Sequence, residues 1–375
     1  MKKVALNFVL LSVSVSLCLL LIELGLRMFH PQNLTLSYQS RDGLRILRPN
    51  HSGIYKSADT VEPYKINSLG MRDREHRVEK PEGNYRLLIL GDSFMEALQV
   101  PFERSFPHLL ERRLNGVSGR PIEVINAGVS GWGTDDQLTY LSRYGIRLKP
   151  DLILIAMTLT NDVSDNLAET FHTLNNNQLH EKPVHEFSAT EYRFWQVKAF
   201  LGSHSHLYQL IRLGWHSKEI EVGGQQLSAH VADQLRKEPT ERINRGWRLT
   251  FELLKKVKCC GTDMGAKTLI FLIPMSIQLD DEKLDKFYMD HHLSKSSVCL
   301  ERPQQLMREF GRTEGIEIVD LLPGFREFQA HDRRPLVLKH DGHWTEEGHS
   351  VAADIVLREL VGKSFVEKTF TPLAR

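Results

Sequence analysis

Five short apolar runs limit what this chain can fold into. They are Leu87–Leu90, Ile122–Ile125, Asp151–Met157 (DLILIAM), Lys267–Ile273 (KTLIFLI) and Ile316–Val319. Runs this short and this continuously apolar read as strands buried on both faces. Segments of helical period lie between them: Phe102–Leu114, Thr134–Tyr144, Thr240–Lys258 and Pro303–Thr313. The first of these sets Phe106, Leu109, Leu110 and Leu114 on one side and ends at Asn115-Gly116. Strands alternating with such helices predict an α/β fold, a parallel sheet covered by helices on both faces. Ligands of such sheets bind beyond the carboxyl ends of the strands, so the turns there are the places to look for chemistry.

The amino terminus adds a different constraint. Lys2 and Lys3 precede an apolar run from Val4 to Ile22, just long enough to cross a bilayer. No small-residue cleavage site follows; the next residues are Glu23-Leu24-Gly25-Leu26-Arg27. Residues 1–30 are therefore expected to be an uncleaved signal anchor, with a cleaved signal peptide as the alternative. The lysine pair favours a cytoplasmic amino terminus. The chain is then expected to pass once through the inner (cytoplasmic) membrane, with its main domain outside the cytoplasm, which in a Gram-negative cell is the periplasm.

The remaining organisation follows from composition. The 375 residues carry a net charge of +1, which gives no reason to expect a nucleic-acid partner. The four cysteines, Cys18, Cys259, Cys260 and Cys299, lack metal-ligand spacing. Buried thiols are expected, with a bridge from Cys299 to Cys259 or Cys260 as the alternative in an oxidising compartment. Residues 31–84 show no period and read as an extended surface lead-in of structural role. Residues 164–239 are long, polar and irregular, with a helical stretch near Ser205–Trp215, and read as a cap inserted over the site. Asp281–Leu293 is charged and is expected to be mobile. The main domain is then 85–365, with 366–375 as a tail.

Four turns carry candidate chemistry. Gly91-Asp92-Ser93 follows the first strand, where a helix amino terminus offers free N–H groups to developing negative charge. Ser93 is either a nucleophile or a plain helix cap. Asn126-Ala-Gly-Val-Ser-Gly131 follows the second strand, and a Gly131 N–H can approach a substrate oxygen; a simple tight turn is the alternative. Thr134 is a candidate cap of the helix that follows. Asn161-Asp162 follows the third strand, where an amide can donate to an oxyanion or cap a turn. Near the carboxyl terminus, His340-Asp341-Gly342-His343-Trp344 leads into a helix capped by Thr345. Asp341 and His343 can turn toward each other, leaving one imidazole nitrogen to take a serine proton. Two solvated polar residues on a loop are one alternative; a metal site using Asp341, His343 and His349 is another, but no further ligand set lies nearby.

In this order, Gly91-Asp92-Ser93, Asn126-x-Gly-x-x-Gly131, Asn161-Asp162 and Asp341-x-His343 resemble the four blocks of the SGNH/GDSL hydrolase superfamily. The resemblance covers roughly residues 85–361, interrupted by the insertion. It implies a three-layer, flavodoxin-like parallel sheet and needs no metal or organic cofactor. Ser93 would be the nucleophile, His343 the general base and Asp341 its orienting acid. The Ser93 N–H, the Gly131 N–H and the Asn161 side chain would form the oxyanion hole. Phe94 stands where that motif has leucine. The Asp-x-His-Trp form resembles the membrane-tethered alginate O-acetyltransferase-like branch, which acts on extracellular polysaccharide. The expected activity is that of an extracytoplasmic serine esterase or O-acyltransferase on acetyl or other short acyl esters of envelope glycans. A lysophospholipase or lipase on acylated lipid is the alternative, as is a non-catalytic glycan-binding or assembly protein. Partners in an envelope complex are not identifiable from the residues.

Overall fold

A computed structural model describes residues 2–183 and 187–367. Helix α1 (Lys2–Phe29) leaves its apolar side chains from Val4 to Ile22 exposed. Within Lys3–Phe29 an 18-residue stretch reaches a mean hydropathy of 2.5, enough in length and composition to cross a membrane. The same features suit a signal sequence.

The lead-in departs from the expected loop. It folds into two antiparallel hairpins, β1 (Ser37–Gln39) with β2 (Arg45–Leu47), and β3 (Ser52–Lys56) with β4 (Val61–Lys65). Their strands are too short and too interrupted by Gly53 and Pro63 to show an alternating pattern.

The body follows: β5 (Tyr85–Leu90), α2 (Ser93–Glu96), α3 (Phe106–Asn115), β6 (Ile122–Asn126), α4 (Thr134–Arg143), β7 (Leu152–Thr158) and α5 (Asp162–Asn166). The insertion holds a hairpin, β8 (His172–Asn175) and β9 (Gln178–Glu181), then α6 (Ala189–His204) and α7 (His206–Leu235). It is thus largely helical rather than irregular. The chain ends with α8 (Glu241–Asp263), β10 (Lys267–Ile273), α9 (Asp281–Asp290), α10 (Arg302–Glu314), β11 (Glu317–Asp320), α11 (Leu322–His331) and α12 (Glu346–Gly362). The expected mobile stretch is α9: Asp280 caps it by accepting from Lys283 N at 3.0 Å, and Phe287 anchors it in the core. Residues 368–375 of the expected tail lie outside the described residues.

The five main strands pair in the order β11-β10-β7-β5-β6, all parallel. Counted along the chain this is second, first, third, fourth, fifth: the flavodoxin-like doubly wound order. Alternate strand residues feed two cores. Leu88, Ile125, Ile153 and Ile270 pack with Leu141 of α4, Leu253 of α8 and Met307 of α10. Leu87, Val124, Leu154 and Phe271 pack with Leu110 of α3 and Val356 of α12 on the opposite face. Complete burial of each such side chain stabilises by about 1.5–3 kcal/mol. The strand order reverses between β5 and β7, and sheets of this order bind ligands beyond the carboxyl ends of the strands at such a reversal.

The cysteines correct the expectation. All four are free thiols; Cys18 and Cys259 are exposed, and Cys260 and Cys299 are half-buried. Cys259 falls on the outer side of α8, while Cys260 packs at the edge of the core that Leu253, Leu254 and Val257 fill.

Candidate active site

Ser93 opens α2 directly beyond β5. It is not the cap. Asp92 is, its Oδ1 accepting from Phe94 N at 2.9 Å. That leaves the Ser93 hydroxyl for another partner, and it lies 2.6 Å from His343 Nε2. The imidazole's Nδ1 faces Asp341 Oδ1 in a short hydrogen bond. Gly342 permits this closure. At φ +83° it folds the loop back in the left-handed region, so that two side chains only two residues apart meet. The loop is pinned by Leu338 N donating to His343 O at 2.7 Å. Phe94 packs on both sides of the junction, 4.7 Å from the His343 ring centre and 5.1 Å from that of Trp344. Trp344 is buried against Phe325. Thr345 caps α12, accepting from Gly348 N at 3.2 Å. Gly133, not Thr134, is the cap of α4.

The lead-in, read from the residues as merely structural, builds the acid's surroundings. Tyr55 of β3 donates to Asp341 Oδ2 at 3.0 Å. Gln99 reaches Asp341 Oδ1 at 3.4 Å. Asp59 accepts from the backbone N–H of both His340 and Asp341 at 2.8 Å. Burial alone would raise the Asp341 carboxyl. The bonds from His343, Tyr55 and Gln99 and the imidazole's charge hold it below the usual carboxylate range instead. The same burial, with Asp341 alongside, pushes Tyr55 up to about 12, so its phenol remains a donor.

Gly131 lies on the loop after β6 at φ +74°. A Cβ there would strike the Arg45 guanidinium at 2.4 Å, while the Gly131 carbonyl accepts from Arg45 at 2.8 Å. Among the described residues neither the Gly131 N–H nor the Ser93 N–H has an intramolecular acceptor. Asn161 follows β7 as expected, but its amide is engaged. Nδ2 donates to Asp165 Oδ2 at 2.7 Å, with Asp92 Oδ2 at 3.4 Å.

Beneath these groups lies a set of buried acids. Burial raises Asp92, Asp162 and Asp165 above the ordinary carboxylate range, and for Asp162 the like charges of Asp92 and Asp165 add to it. Asp162 Oδ2 accepts from Thr158 N at 3.0 Å; its Oδ1 has no partner. His349 belongs to neither a metal group nor the Asp341–His343 pair. It is buried in α12, with Nδ1 accepting from Phe106 N at 3.2 Å. Among the described residues no group of three or more metal-ligating side chains converges.

No protein-family model matches the chain. Among curated proteins, an arylesterase from Vibrio mimicus is 37% identical over 76 residues, or 20% of this chain. That match spans 38% of the arylesterase's length, well under half. Among solved structures, an α/β hydrolase enzyme from the metagenome of Lake Arreo, Spain, superposes with a TM-score of 0.40 at 15% identity, covering 73% of this chain and 93% of that one. An acetylxylan esterase from Geobacillus stearothermophilus gives 0.40 at 15% identity, covering 74% and 94%. A lipase/acylhydrolase from Enterococcus faecalis gives 0.38 at 14%, covering 76% and 98%.

Proposed function

We propose that this chain is an ester-cleaving enzyme that works through an acyl-serine intermediate. The observation that carries this reading is the continuous hydrogen-bonded line Ser93–His343–Asp341 beyond the carboxyl end of β5. His343 Nε2 takes the Ser93 proton as Oγ attacks the acyl carbonyl. Asp341 holds Nδ1–H and stabilises the imidazolium that forms. The tetrahedral oxygen is met by the two unpartnered N–H groups, of Ser93 and Gly131. The weakly held second N–H of Asn161, the one facing Asp92 at 3.4 Å, is available to it as well. Each such donor contributes about 10²–10³ in rate. His343 then returns its proton to the departing alcohol. Water, or a sugar hydroxyl, attacks the acyl-serine in the second half-reaction, again with His343 as base.

The substrate we propose is an acetylated glycan of the cell envelope, with α1 as an inner-membrane anchor and the body in the periplasm. The Asp341-x-His343-Trp344 resemblance supports the glycan, and the arylesterase similarity supports ester cleavage. The test is release of acetate from an activated acetyl ester by the full chain in detergent, beside Ser93→Ala. A fall of about 10⁴–10⁶-fold in the variant is expected. Acetyl appearing on an added oligosaccharide would make the enzyme a transferase. Preference for long-chain lipid esters would replace the glycan with a lipid. Equal rates in the two proteins would leave a non-catalytic binding protein.

A further inference from the structure

The end of α1 is bonded to the insertion. Val4–Ile22 carries no charge, and 19 residues of helix rise roughly 28 Å, about the thickness of the bilayer's hydrocarbon. The first charged residue after it is Glu23. Its carboxylate accepts from Ser205 Oγ at 2.9 Å, His206 N at 3.0 Å and Leu207 N at 2.9 Å, the elbow between α6 and α7. Arg27 pairs with Glu23 at 2.8 Å and donates to His204 O at 2.6 Å. Further bonds, Gln32 N to His206 Nδ1 and Thr35 N to Gly202 O, tie the next residues to the same elbow. Ionised groups are costly in hydrocarbon and gather at its boundary. The elbow therefore sits at the level where the apolar run ends.

From that elbow two helices leave with unusual surfaces. Outside α1, nine of the thirteen exposed large apolar side chains among the described residues lie between Phe194 and Trp215. They include Phe194, Trp195 and Phe200 of α6, and Ile211 and Trp215 of α7, the last 84% exposed. Basic residues are interleaved: the Lys198 ammonium lies 4.7 Å from the Phe194 ring centre and 5.2 Å from that of Trp195. Tryptophan beside lysine whose stem covers apolar surface is the composition of a headgroup layer. Water leaves no reason for an apolar patch of this extent.

We propose that α6 and the first turns of α7 lie in the headgroup region of the phospholipid bilayer that α1 crosses, as an in-plane platform. The platform sets the pose of the active site over the lipid. The far end of α7 docks on the body through Gln234 Nε2, which donates to Leu159 O at 2.7 Å, two residues before Asn161. Arg48, three residues after the Arg45 that holds Gly131, donates to Ala199 O of α6 at 3.0 Å. This inference rests on α1 lying in the membrane and not on the ester chemistry.

The test is fluorescence quenching of the full chain in nanodiscs of phosphatidylcholine and phosphatidylglycerol, with its mass measured to show that α1 is present. Trp132, Trp247 and Trp344 are buried, so Trp195 and Trp215 are the two that report on the surface. Lipids brominated near the headgroup end of their acyl chains should quench the emission. Most of that quenching should vanish in Trp195→Phe/Trp215→Phe, and aqueous iodide should have little effect. Strong iodide quenching without bromolipid quenching would overturn the proposal by placing the helices in water. Protection from both quenchers would overturn it too, by showing a protein partner or second copy on this face. Esterase activity enters none of these readouts, so failure of the proposed reaction and failure of the platform are separable.

Discussion

Strand β5 buries charge at both of its ends, and the two ends treat it oppositely. At the amino end, Arg86 is fully buried and donates to Glu123 at 2.8 Å and to the carbonyls of Val78 and Arg77 at 3.0 Å. Glu123 in turn meets His76 at 2.8 Å, and His76 also lies 3.0 Å from Asp73. Every charge there has an opposite. At the carboxyl end, Asp92, Asp162 and Asp165 face one another with only N–H and amide donors between them, and Asp162 Oδ1 has none. The first arrangement holds the chain together. The second burdens the fold with buried carboxyls whose charged form is disfavoured and with unmatched polar atoms, a cost tolerated on the proposed reading because the chemistry there needs an oriented, poorly hydrated site. On the proposed reading, stability and chemistry are separated along one strand of six residues.

Four substitutions test that separation. The largest effect is expected at Asp341→Asn, which removes the acceptor that sets the His343 tautomer. Ester hydrolysis should fall by about 10³–10⁴-fold with little change in melting temperature. A variant that melts early instead would make the site a structural element. Next is Arg86→Leu, which takes from the buried Glu123 one of its two cationic partners and leaves it His76; unfolding free energy should drop by about 3 kcal/mol, while each folded molecule keeps its turnover. A loss of activity without a loss of stability would merge the two ends.

The third effect is in pH. Burial, with Arg72 and His343 nearby, pushes His349 down to about 3. The folded state therefore keeps this imidazole neutral while the unfolded chain takes up a proton below pH 6.5. Stability should fall as pH drops from 6.5 toward 3, by about 2 kcal/mol between pH 6.5 and 5, and His349→Gln should flatten that limb. His76, at the other end, has the opposite sign. Burial alone would lower it, but Asp73 and Glu123 push it up to about 9, so its contribution is complete below pH 6.5 and is lost as pH rises through 9. Denaturant titrations at several pH values separate the two limbs. The smallest effect is expected at Asp162→Asn. Burial and the like charges of Asp92 and Asp165 disfavour its charged form, so an amide in its place should cost under about 1 kcal/mol near pH 7. A loss as large as that of Arg86→Leu would show that Asp162 is ionised and paired after all.

Much of this architecture was legible in the residues because it is written locally. The five strands are apolar runs ended by turns, and Ser93, Asp341 and His343 stand in short motifs at predicted strand ends or helix entries. Tyr55, Asp59 and Arg45 were not legible, because their partners are far along the chain and their hairpins carry no periodic signal. Tyr55 meets Asp341 across 286 residues. The engagement of Asn161 with Asp165 depends on side-chain direction, which spacing does not specify. The insertion hid its helices for another reason. Apolar residues such as Phe194, Trp195 and Val197 are adjacent rather than spaced by turns, so α6 lacks the single apolar stripe of a helix packed on a core.

That long bond from Tyr55 to Asp341 also governs timing. At a ribosomal rate of about 5–20 residues per second, Asp341 is made roughly 15–60 s after Tyr55. The β3–β4 hairpin and the Ser93 turn must wait through that interval without their partner loop. A contact of such sequence separation closes late in folding. On the proposed reading, the Ser93–His343–Asp341 line is then incomplete until residue 343 has been synthesised, long after α1 has been made.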